Sequence, residues 1–298
     1  MSDFRLEVFY TVAKRLSFTK AAAELFVTQP AVTKHIRELE DRYKNKLFER
    51  KGNQIELTPA GSLLFKYADD LFAIYRNIEF EMNALINVQQ GLLRLGASTT
   101  IAQYVIAPDL AGFRKKFADI QVSLINGNTD QIEKALINKE IDLGIIEGRH
   151  KNPEISYTEF LKDEIVLVCS KDHPLAKRTS INPDELLNNR FVLREQGSGT
   201  LEVIGHELKP FNIKPADLPV EIYLGSTESI KLYLQHAPCL AFISIHSVFK
   251  EVQSGELRVI DVKNLTIERY FYFIHLQGKA DGMAELFMRF AAHAHNLR

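Results

Sequence analysis

The sequence contains only two cysteines, Cys169 and Cys239, and no tryptophan. Two cysteines cannot form a disulfide framework or a cysteine-based zinc site, so we expect a reducing, cytoplasmic setting. Apolar runs are short, whereas a membrane-spanning helix needs about 20 apolar residues. The first residues also lack the basic and then apolar profile of a signal peptide. These features argue against secreted, disulfide-stapled and membrane-spanning proteins.

Motifs for enzymatic chemistry are also missing. The sequence has no GxGxxG or GxxxxGKS/T loop for nucleotide phosphates, and the segment Gln196–Gly199 lacks the GxSxG spacing of a nucleophile elbow. His293 and His295 are two residues apart, which turns their side chains to different sides of a helix. We therefore expect no catalytic residue, no bound metal and no cofactor.

An excess of one charge is absent overall but present locally. The net charge is −1, yet residues 1–60 carry 11 Lys and Arg against 8 Asp and Glu, a local balance of +3. A basic segment on an acidic body is a weak indication of a polyanionic partner. The 298 residues suffice for about two domains with buried cores.

The first segment is predicted to form short helices. Apolar residues repeat at helical spacing over the first 16 residues. Thr19 is expected to cap a second helix, Lys20–Leu25, and Thr28 a third. Pro30 fits the first turn of this third helix, where a missing N–H group is tolerated.

The third helix has an apolar stripe and a polar flank. The stripe consists of Val32, Ile36, Leu39 and Tyr43. Two helices on a short link, the second with a polar outer face, are typical of a helix-turn-helix, whose second helix enters the major groove of DNA. The residues predicted to reach base edges or phosphates from it are Thr28, Gln29, Pro30, Thr33, Lys34 and Arg37. The alternative is a solvated helical face on a small bundle.

Residues 47–57 predict a small hairpin, or wing, with its turn at Gly52-Asn53. Arg50 and Lys51 lie near its tip, where they would contact backbone phosphates and supply salt-dependent affinity. Thr58 and Pro59 are typical of the cap and first position of a further helix.

One long helix is predicted over about 59 to 88, because no Gly or Pro lies between Ser62 and Gln90. Its apolar residues step by three or four, close to a heptad pattern. They are Leu64, Tyr67, Leu71, Ile74, Ile78, Met82 and Leu85. We prefer a dimer seam over packing on the helix's own domain, because a lone helix of this length needs a partner for its stripe.

From Gly91 onward strands and helices alternate, which indicates a doubly wound α/β body of two lobes. The predicted elements include one helix over Ile101–Phe117 and strands at Glu164–Ser170 and Tyr270–Ile274. Ligands of open α/β sheets lie at the carboxyl ends of the strands.

Hydroxyl or amide residues stand at four junctions where a strand is followed by a helix. These are Ser98-Thr99-Thr100, Asn128-Thr129, Ser198-Gly199-Thr200 and Ser226-Thr227. Helix N-termini attract anions, so junctions that converge in one cleft would bind a small anion such as a carboxylate. The alternative is that all four are plain helix caps.

Taken together, these motifs resemble the LysR-type transcriptional regulators over essentially the whole chain. The segments that carry the resemblance in the N-terminal part are Phe18–Ala22, Thr28–Thr33, Leu47–Arg50 and Leu57–Gly61. Those that carry it in the body are Leu95–Ser98, Asp142–Ile145 and Gly197–Thr200. The chain departs at Tyr43-Lys44, where the family usually has Leu-Gly; glycine eases the left-handed turn that ends the recognition helix.

The resemblance implies an α+β multi-domain protein. Its parts would be a winged helix-turn-helix over 1–58, a dimerisation helix over 59–90, and a two-lobed effector domain over 91–298, similar to a periplasmic binding protein. Lobe I would comprise 91–162 and 267–298, and lobe II 163–266. The chain would cross between the lobes near 161–164 and 265–269.

The resemblance also implies a homodimer or homotetramer on double-stranded DNA, controlled by a small effector. With the junction residues, the predicted effector contacts are Ser98, Thr99, Thr100, Asn128, Thr129, Glu147, Ser198, Gly199, Thr200 and Phe242. Two alternatives stay open. One is an enzyme or carrier that uses the α/β body, and the other is a redox sensor, which requires Cys169 and Cys239 to meet.

Overall fold

The computed structural model describes residues 3–51, 54–85, 90–149, 151–278 and 280–296. The chain forms two compact units, Met1–Val88 and Gln89–Arg298. Within the described ranges, no helix is long and apolar enough to cross a bilayer. Nor do three or more His, Cys, Asp or Glu side chains of these ranges gather in a way that could hold a metal ion.

Three helices build the first part of the N-terminal unit: α1 (Phe4–Arg15), α2 (Phe18–Glu24) and α3 (Gln29–Tyr43). The prediction that Thr19 caps α2 is wrong. Ser17 is the cap, and its side chain accepts a hydrogen bond from the Lys20 N–H. An earlier start brings Phe18 into the helix and against the core of this unit.

Helix α3 begins as predicted, with the Thr28 hydroxyl accepting a hydrogen bond from the Ala31 N–H at 3.4 Å. Its buried stripe contains Val32, Ile36 and Leu39, but not Tyr43, which is 44% exposed. Lys44 then adopts the left-handed conformation, with φ of 54°, that favours glycine. The chain therefore keeps the helix-ending turn without glycine, at a backbone cost of about 1 kcal/mol.

A hairpin of β1 (Phe48–Lys51) and β2 (Gln54–Leu57) follows; its turn at 52–53 lies outside the described residues. The long helix α4 spans Pro59–Leu85, and the predicted positions 86–88 also lie outside them. The Thr58 hydroxyl accepts from the Gly61 N–H at 3.0 Å and donates to the Lys46 carbonyl at 2.6 Å. A Cβ atom on Gly61 would meet the Leu47 carbonyl oxygen at 2.0 Å, so only glycine allows this close approach.

Helix α4 presents an apolar stripe to solvent. Its exposed members are Leu63, Tyr67, Leu71, Ile74, Ile78 and Met82. The predicted seam is wrong at Leu64, which packs on the core of the N-terminal unit and leaves Leu63 outward. The side chain of Leu85 lies outside the described part. An exposed stripe of this length needs a partner surface.

The second unit alternates strands and helices. Its strands are β3 (Gly91–Ser98), β4 (Ile120–Gly127), β5 (Leu143–Glu147), β6 (Ile155–Ser170), β7 (Ser180–Ile181), β8 (Phe191–Arg194), β9 (Val220–Leu224), β10 (Leu240–Ser244), β11 (Leu257–Val262) and β12 (Ile267–Leu276). Its helices are α5 (Thr99–Tyr104), α6 (Ala107–Lys116), α7 (Thr129–Ile137), α8 (Gly199–Glu207), α9 (Thr227–Leu234), α10 (Ile245–Ser254) and α11 (Gly282–Asn296).

The single helix predicted over Ile101–Phe117 is two helices, α5 and α6. Pro108 lies in the first turn of α6. Its ring would clash with the carbonyl of residue 104 in a continuous helix. Helix α5 therefore ends at Tyr104, and the chain starts a new helix three residues later.

Two lobes share the long strand β6. The order in lobe I is β4-β3-β5-β12-β6, and in lobe II β6 pairs with β10 and β11, and β10 continues to β8 and β9. Ile165 of β6 pairs with both Ile267 of β12 and Ser244 of β10, so the chain passes between the lobes there. The carboxyl ends of β4 and β5 face that of β8 across the boundary between the lobes, here called the cleft, where Asn128 contacts Glu195 and Glu147 contacts Thr200.

Candidate functional site

The N-terminal unit carries a groove of about 920 Å³ between α3, the start of α2 and the hairpin. Among the predicted contact residues, Gln29, Thr33, Arg37 and Arg50 line this groove. The cap residue Thr28 is exposed, as are Pro30 and Lys34 of α3 and Lys51 of β1. The polar flank of α3 therefore faces solvent and not the core of its own unit.

Arg37 and Arg50 are exposed, and neither guanidinium has a hydrogen bond or ion pair within the described residues. Lys34 lies 4.0 Å from Glu38, and Lys51 lies 3.2 Å from Glu56. The two arginines are thus cations at the groove that are available to an anionic partner. Phosphate groups of a duplex are partners of this kind.

Glu40 fixes the hairpin relative to α3. Glu40 is 8% exposed, and its carboxylate accepts the Leu47 N–H at 2.9 Å and binds the Lys46 ammonium at 2.7 Å. The left-handed residue Lys44 lies between these positions in the chain. The contacts of Glu40 with Leu47 and Lys46 therefore hold the start of the hairpin against α3, although the turn between them contains no glycine.

Phe26 is a residue that the sequence analysis missed. It lies between α2 and α3, is 95% exposed, and has φ of 56°. An aromatic residue in the left-handed conformation is a genuine backbone outlier. Exposure of its apolar ring to water is also unfavourable compared with burial. Its signal in the sequence was a large apolar residue two positions before the Thr28 cap of α3.

In the second unit residues of three of the four predicted junctions meet at Glu147, whereas no contact with it is seen for Ser226 and Thr227 within the described residues. Its carboxylate accepts the Ser98 hydroxyl on one oxygen and the Thr200 hydroxyl on the other, at 3.4 Å. Its backbone carbonyl accepts the Thr129 hydroxyl at 2.7 Å. A Cβ atom on Gly199 would meet that carbonyl oxygen at 2.1 Å, so glycine is required where α8 approaches β5.

Arg269 joins this cluster from strand β12 and was not predicted. Its Nε donates to Asp163 of β6 at 2.7 Å, and its Nη1 donates to the Thr200 hydroxyl at 2.8 Å and lies 3.7 Å from Glu147. The second oxygen of Asp163 accepts the Ser244 hydroxyl at 2.7 Å. Alternation along β12, with Phe271 also buried, could have placed Arg269 on the inner face.

Three buried donors around the cleft have no hydrogen-bond partner among the described residues. They are Nη2 of Arg269, Nη1 of Arg194 and the hydroxyl of Ser198. Their residues are only 2–4% exposed. Buried hydrogen-bond donors are rarely left without an acceptor. An oxyanion bound beside any one of them would supply that acceptor.

Asn128 links the two lobes beside this cluster. It caps α7, and its amide donates to the Glu195 carboxylate at 3.2 Å and to the Gln196 carbonyl at 3.3 Å. Burial by itself raises the pKa of Glu195, but the hydrogen bonds and the charge of Arg194, together with hydrogen bonds from Asn128 and the backbone, outweigh burial and hold this pKa below its ordinary value. Glu195 is therefore ionised at neutral pH.

A second link between the lobes lies at Tyr104 of α5. Its hydroxyl donates to Glu228 of α9, and the Lys231 ammonium lies 5.0 Å from the centre of its ring. Burial and the neighbouring Glu228 carboxylate raise the pKa of Tyr104. The phenol therefore stays protonated and continues to donate.

Two predicted effector contacts serve other roles. Phe242 lies in the core of lobe II, with its ring stacked 5.8 Å from that of Phe191, because alternate residues of β10 face that core. The Thr99 hydroxyl donates to the Gly127 carbonyl within lobe I at 3.0 Å. Thr100 is buried in α5.

The cysteines do not favour a redox role. Both are buried free thiols; Cys169 belongs to one hydrophobic cluster of lobe II and Cys239 to another. Burial raises the pKa of each thiol to about 11. Since the thiolate is the reactive form, neither is prepared for oxidation.

Comparisons with known proteins match both units. Residues 4–62 match the family model described as "Bacterial regulatory helix-turn-helix protein, lysR family", and residues 87–295 match "LysR substrate binding domain". A protein named as a probable RuBisCO transcriptional regulator from Cyanophora paradoxa is 33% identical over 91% of this chain and 84% of its own length.

Solved structures agree with this match. The regulatory domain of Synechocystis CcmR in complex with 2-PG is 30% identical, with a TM-score of 0.63, and the alignment covers 69% of this chain and 97% of that one. Full-length OxyR from Pseudomonas aeruginosa is 19% identical, with a TM-score of 0.74, over 100% of this chain and 95% of that one.

Proposed function

The chain belongs to the LysR family of bacterial transcriptional regulators, and we propose that it binds promoter DNA under the control of a small anionic effector held between its two lobes. In this proposal residues 1–58 bind DNA, residues 59–90 form the dimerisation helix and residues 91–298 bind the effector. As a regulator it acts by binding, not by catalysis. The chromosome of a bacterium lies in the cytoplasm, so we place its action there.

The polar flank of α3 carries the DNA-binding proposal. Helix α3 enters the major groove, where Gln29 suits adenine and Arg37 suits guanine. Thr28, Pro30 and Thr33 supply hydroxyl and apolar contacts, and Lys34 reaches phosphate. Arg50 and Lys51 of the hairpin contact the adjacent backbone.

The exposed stripe of α4 supports a homodimer or homotetramer. A second copy of the same helix buries Tyr67, Ile74 and Ile78, which otherwise stay in water. Two copies of α3 then read two half-sites related by the symmetry of the dimer.

The effector proposal rests on the unpaired donors of Arg269, Arg194 and Ser198. The CcmR regulatory domain binds 2-PG, a small anion, in a related fold. An anion that contacts both lobes stabilises one lobe arrangement over another, and its differential affinity shifts promoter occupancy or DNA bending. Ser98, Thr100, Asn128, Glu147 and Thr200 lie at or beside the place of contact.

Selection of DNA from random duplexes by the full-length protein tests the regulator proposal. We expect recovered sites with two inverted half-sites whose centres lie about one helical turn, or a multiple of it, apart. The same selection repeated with anions added should change the occupancy of recovered sites. Recovery of random sequence, with or without anions, would contradict the proposal.

Phe26 should add an apolar contact to the duplex. Replacing Phe26 by alanine is expected to weaken DNA binding about five- to tenfold, the equivalent of partial burial of one aromatic ring. Because no charge is removed, the salt dependence of binding should stay unchanged. Titration of operator DNA at several salt concentrations measures both quantities.

Thermal unfolding of the Phe26→Ala protein is the control for this prediction. Phe26 is 95% exposed, so its replacement should leave the thermal midpoint nearly unchanged. Wild-type DNA affinity in the Phe26→Ala protein would show that the ring does not touch DNA, while leaving the roles of Arg37 and Arg50 intact.

A further inference from the structure

Resting on the proposed function, we propose that Glu147 is a built-in occupant of the effector site, whose carboxylate an anionic effector must displace. The two carboxylate oxygens of Glu147 hold the hydroxyls of Ser98 and Thr200, and one lies 3.7 Å from Arg269 Nη1. A small anion in the cleft would use these same groups. In this structure a side chain of the protein uses them.

Glu147 does not satisfy the whole site. Nη2 of Arg269, Nη1 of Arg194 and the Ser198 hydroxyl stay unpaired within the described residues. Each is buried, so water does not compensate them fully. One carboxylate has too few acceptors for all these donors. A larger oxyanion would meet more of them.

Charge repulsion explains why the Glu147 carboxylate and an anionic effector cannot occupy the site together. Arg269 lies between the buried carboxylates of Glu147 and Asp163, so these three groups sum to a negative charge. An effector that entered beside an unmoved Glu147 would add a further negative charge a few ångströms away. In a water-poor cleft this repulsion is strong.

Glu147 can leave without a rearrangement of the strand. Its backbone carbonyl is held by the Thr129 hydroxyl and packed against Gly199, whereas its carboxylate is held only by side chains. Rotation of the side chain would therefore free the site and keep β5 in place. Effector binding becomes an exchange of one anion for another.

The exchange defines the class of effector. An anion with no more charge and no more acceptor atoms than a carboxylate binds weakly, because it only replaces the contacts that Glu147 already makes. A phosphate, sulfate or other multiply charged oxyanion binds more tightly, because it also accepts hydrogen bonds from the unpaired donors. The site should therefore favour such oxyanions over simple monocarboxylates.

Calorimetric titration of the full-length protein with inorganic phosphate, and separately with acetate, tests the inference. We expect the Glu147→Gln protein to bind phosphate about tenfold more tightly or better than wild type, because the competing charge is gone while the shape is kept. Wild type should bind phosphate more tightly than acetate. In Glu147→Asp the shorter carboxylate withdraws from Ser98, so phosphate affinity should rise by a smaller factor. This variant tests the inference if Glu147→Gln does not fold.

Two further variants locate and calibrate the effect. Glu256→Gln removes one exposed carboxylate outside the cleft and should bind phosphate as wild type does. Adding Ser198→Ala to Glu147→Gln should cancel most of the gain, which assigns it to the cleft and not to cations of the N-terminal unit.

Unchanged or weaker phosphate binding by Glu147→Gln, with wild-type binding intact, would overturn the built-in occupant alone. It would make Glu147 a partner of the effector or a structural residue. Absence of phosphate binding to every variant would contradict this inference and also the anionic effector of the proposed function. DNA binding by the N-terminal unit would be untouched by either result.

Discussion

Replacing Arg269 by methionine should lower the free energy of unfolding by about 3–5 kcal/mol, the usual cost of breaking a buried ion pair from one side. Arg269 is 4% exposed and is the cation between Asp163 and Glu147. Methionine fills a similar volume, so the loss would come from two buried carboxylates left without a counter-charge. Unfolding by urea, followed by circular dichroism, measures it.

The control for Arg269 is Arg190, which makes one exposed ion pair with Glu221 at 3.2 Å. Arg190→Met should cost less than about 1 kcal/mol, as surface pairs do. Asp163→Asn added to Arg269→Met should restore part of the stability, because it removes one uncompensated charge. A loss below about 1 kcal/mol for Arg269→Met alone would show that the cluster is not held by its central cation.

The second large effect is expected on DNA. Arg37→Ala should cost about 1–3 kcal/mol in each half-site and relax the base preference there, if Arg37 reads a base edge. Arg50→Ala should weaken binding to all sequences alike and reduce the slope of log affinity against log salt by about one per half-site. Gel-shift titrations between about 50 and about 200 mM salt distinguish the two behaviours.

Stability cannot account for either loss. Both arginines are exposed, and neither has a partner among the described residues, so their removal should leave the unfolding transition in place. Arg190→Ala, which removes an exposed arginine of the second unit, serves as the charge control. Wild-type affinity and salt slope in both Arg37→Ala and Arg50→Ala would contradict the placement of α3 and the hairpin on DNA.

Local signals in the sequence predicted the N-terminal unit well. Thr28 and Pro30 specify the start of α3 within one turn of chain, and the spacing of Val32, Ile36 and Leu39 specifies its buried side. The errors there are also local. Ser17 rather than Thr19 caps α2, and Tyr43 lies one turn beyond the part of α3 that faces the core.

The second unit was predicted in outline only. Pro108 was a visible signal for the break between α5 and α6, yet the apolar pattern on both sides suggested one helix. Strand β6 begins at Ile155, well before the predicted Glu164, because its first half pairs with β12, a strand more than 100 residues later. Pairing between strands so far apart in the sequence produces no pattern among neighbouring residues.

The sequence by itself determined the class of the protein: a helix-turn-helix with an outward polar flank, a long helix with an apolar stripe, and an α/β body with polar strand ends. Caps and periodicity act between neighbours, so they can be read along the chain. Only the tertiary structure decided the chemistry of the cleft. It joins Arg269 to Asp163 across 106 positions, brings Glu147 against the hydroxyls of Ser98 and Thr200, and packs Phe242 into the core of lobe II. Burial and charge pairing depend on distances in space, and no spacing in the sequence encodes them.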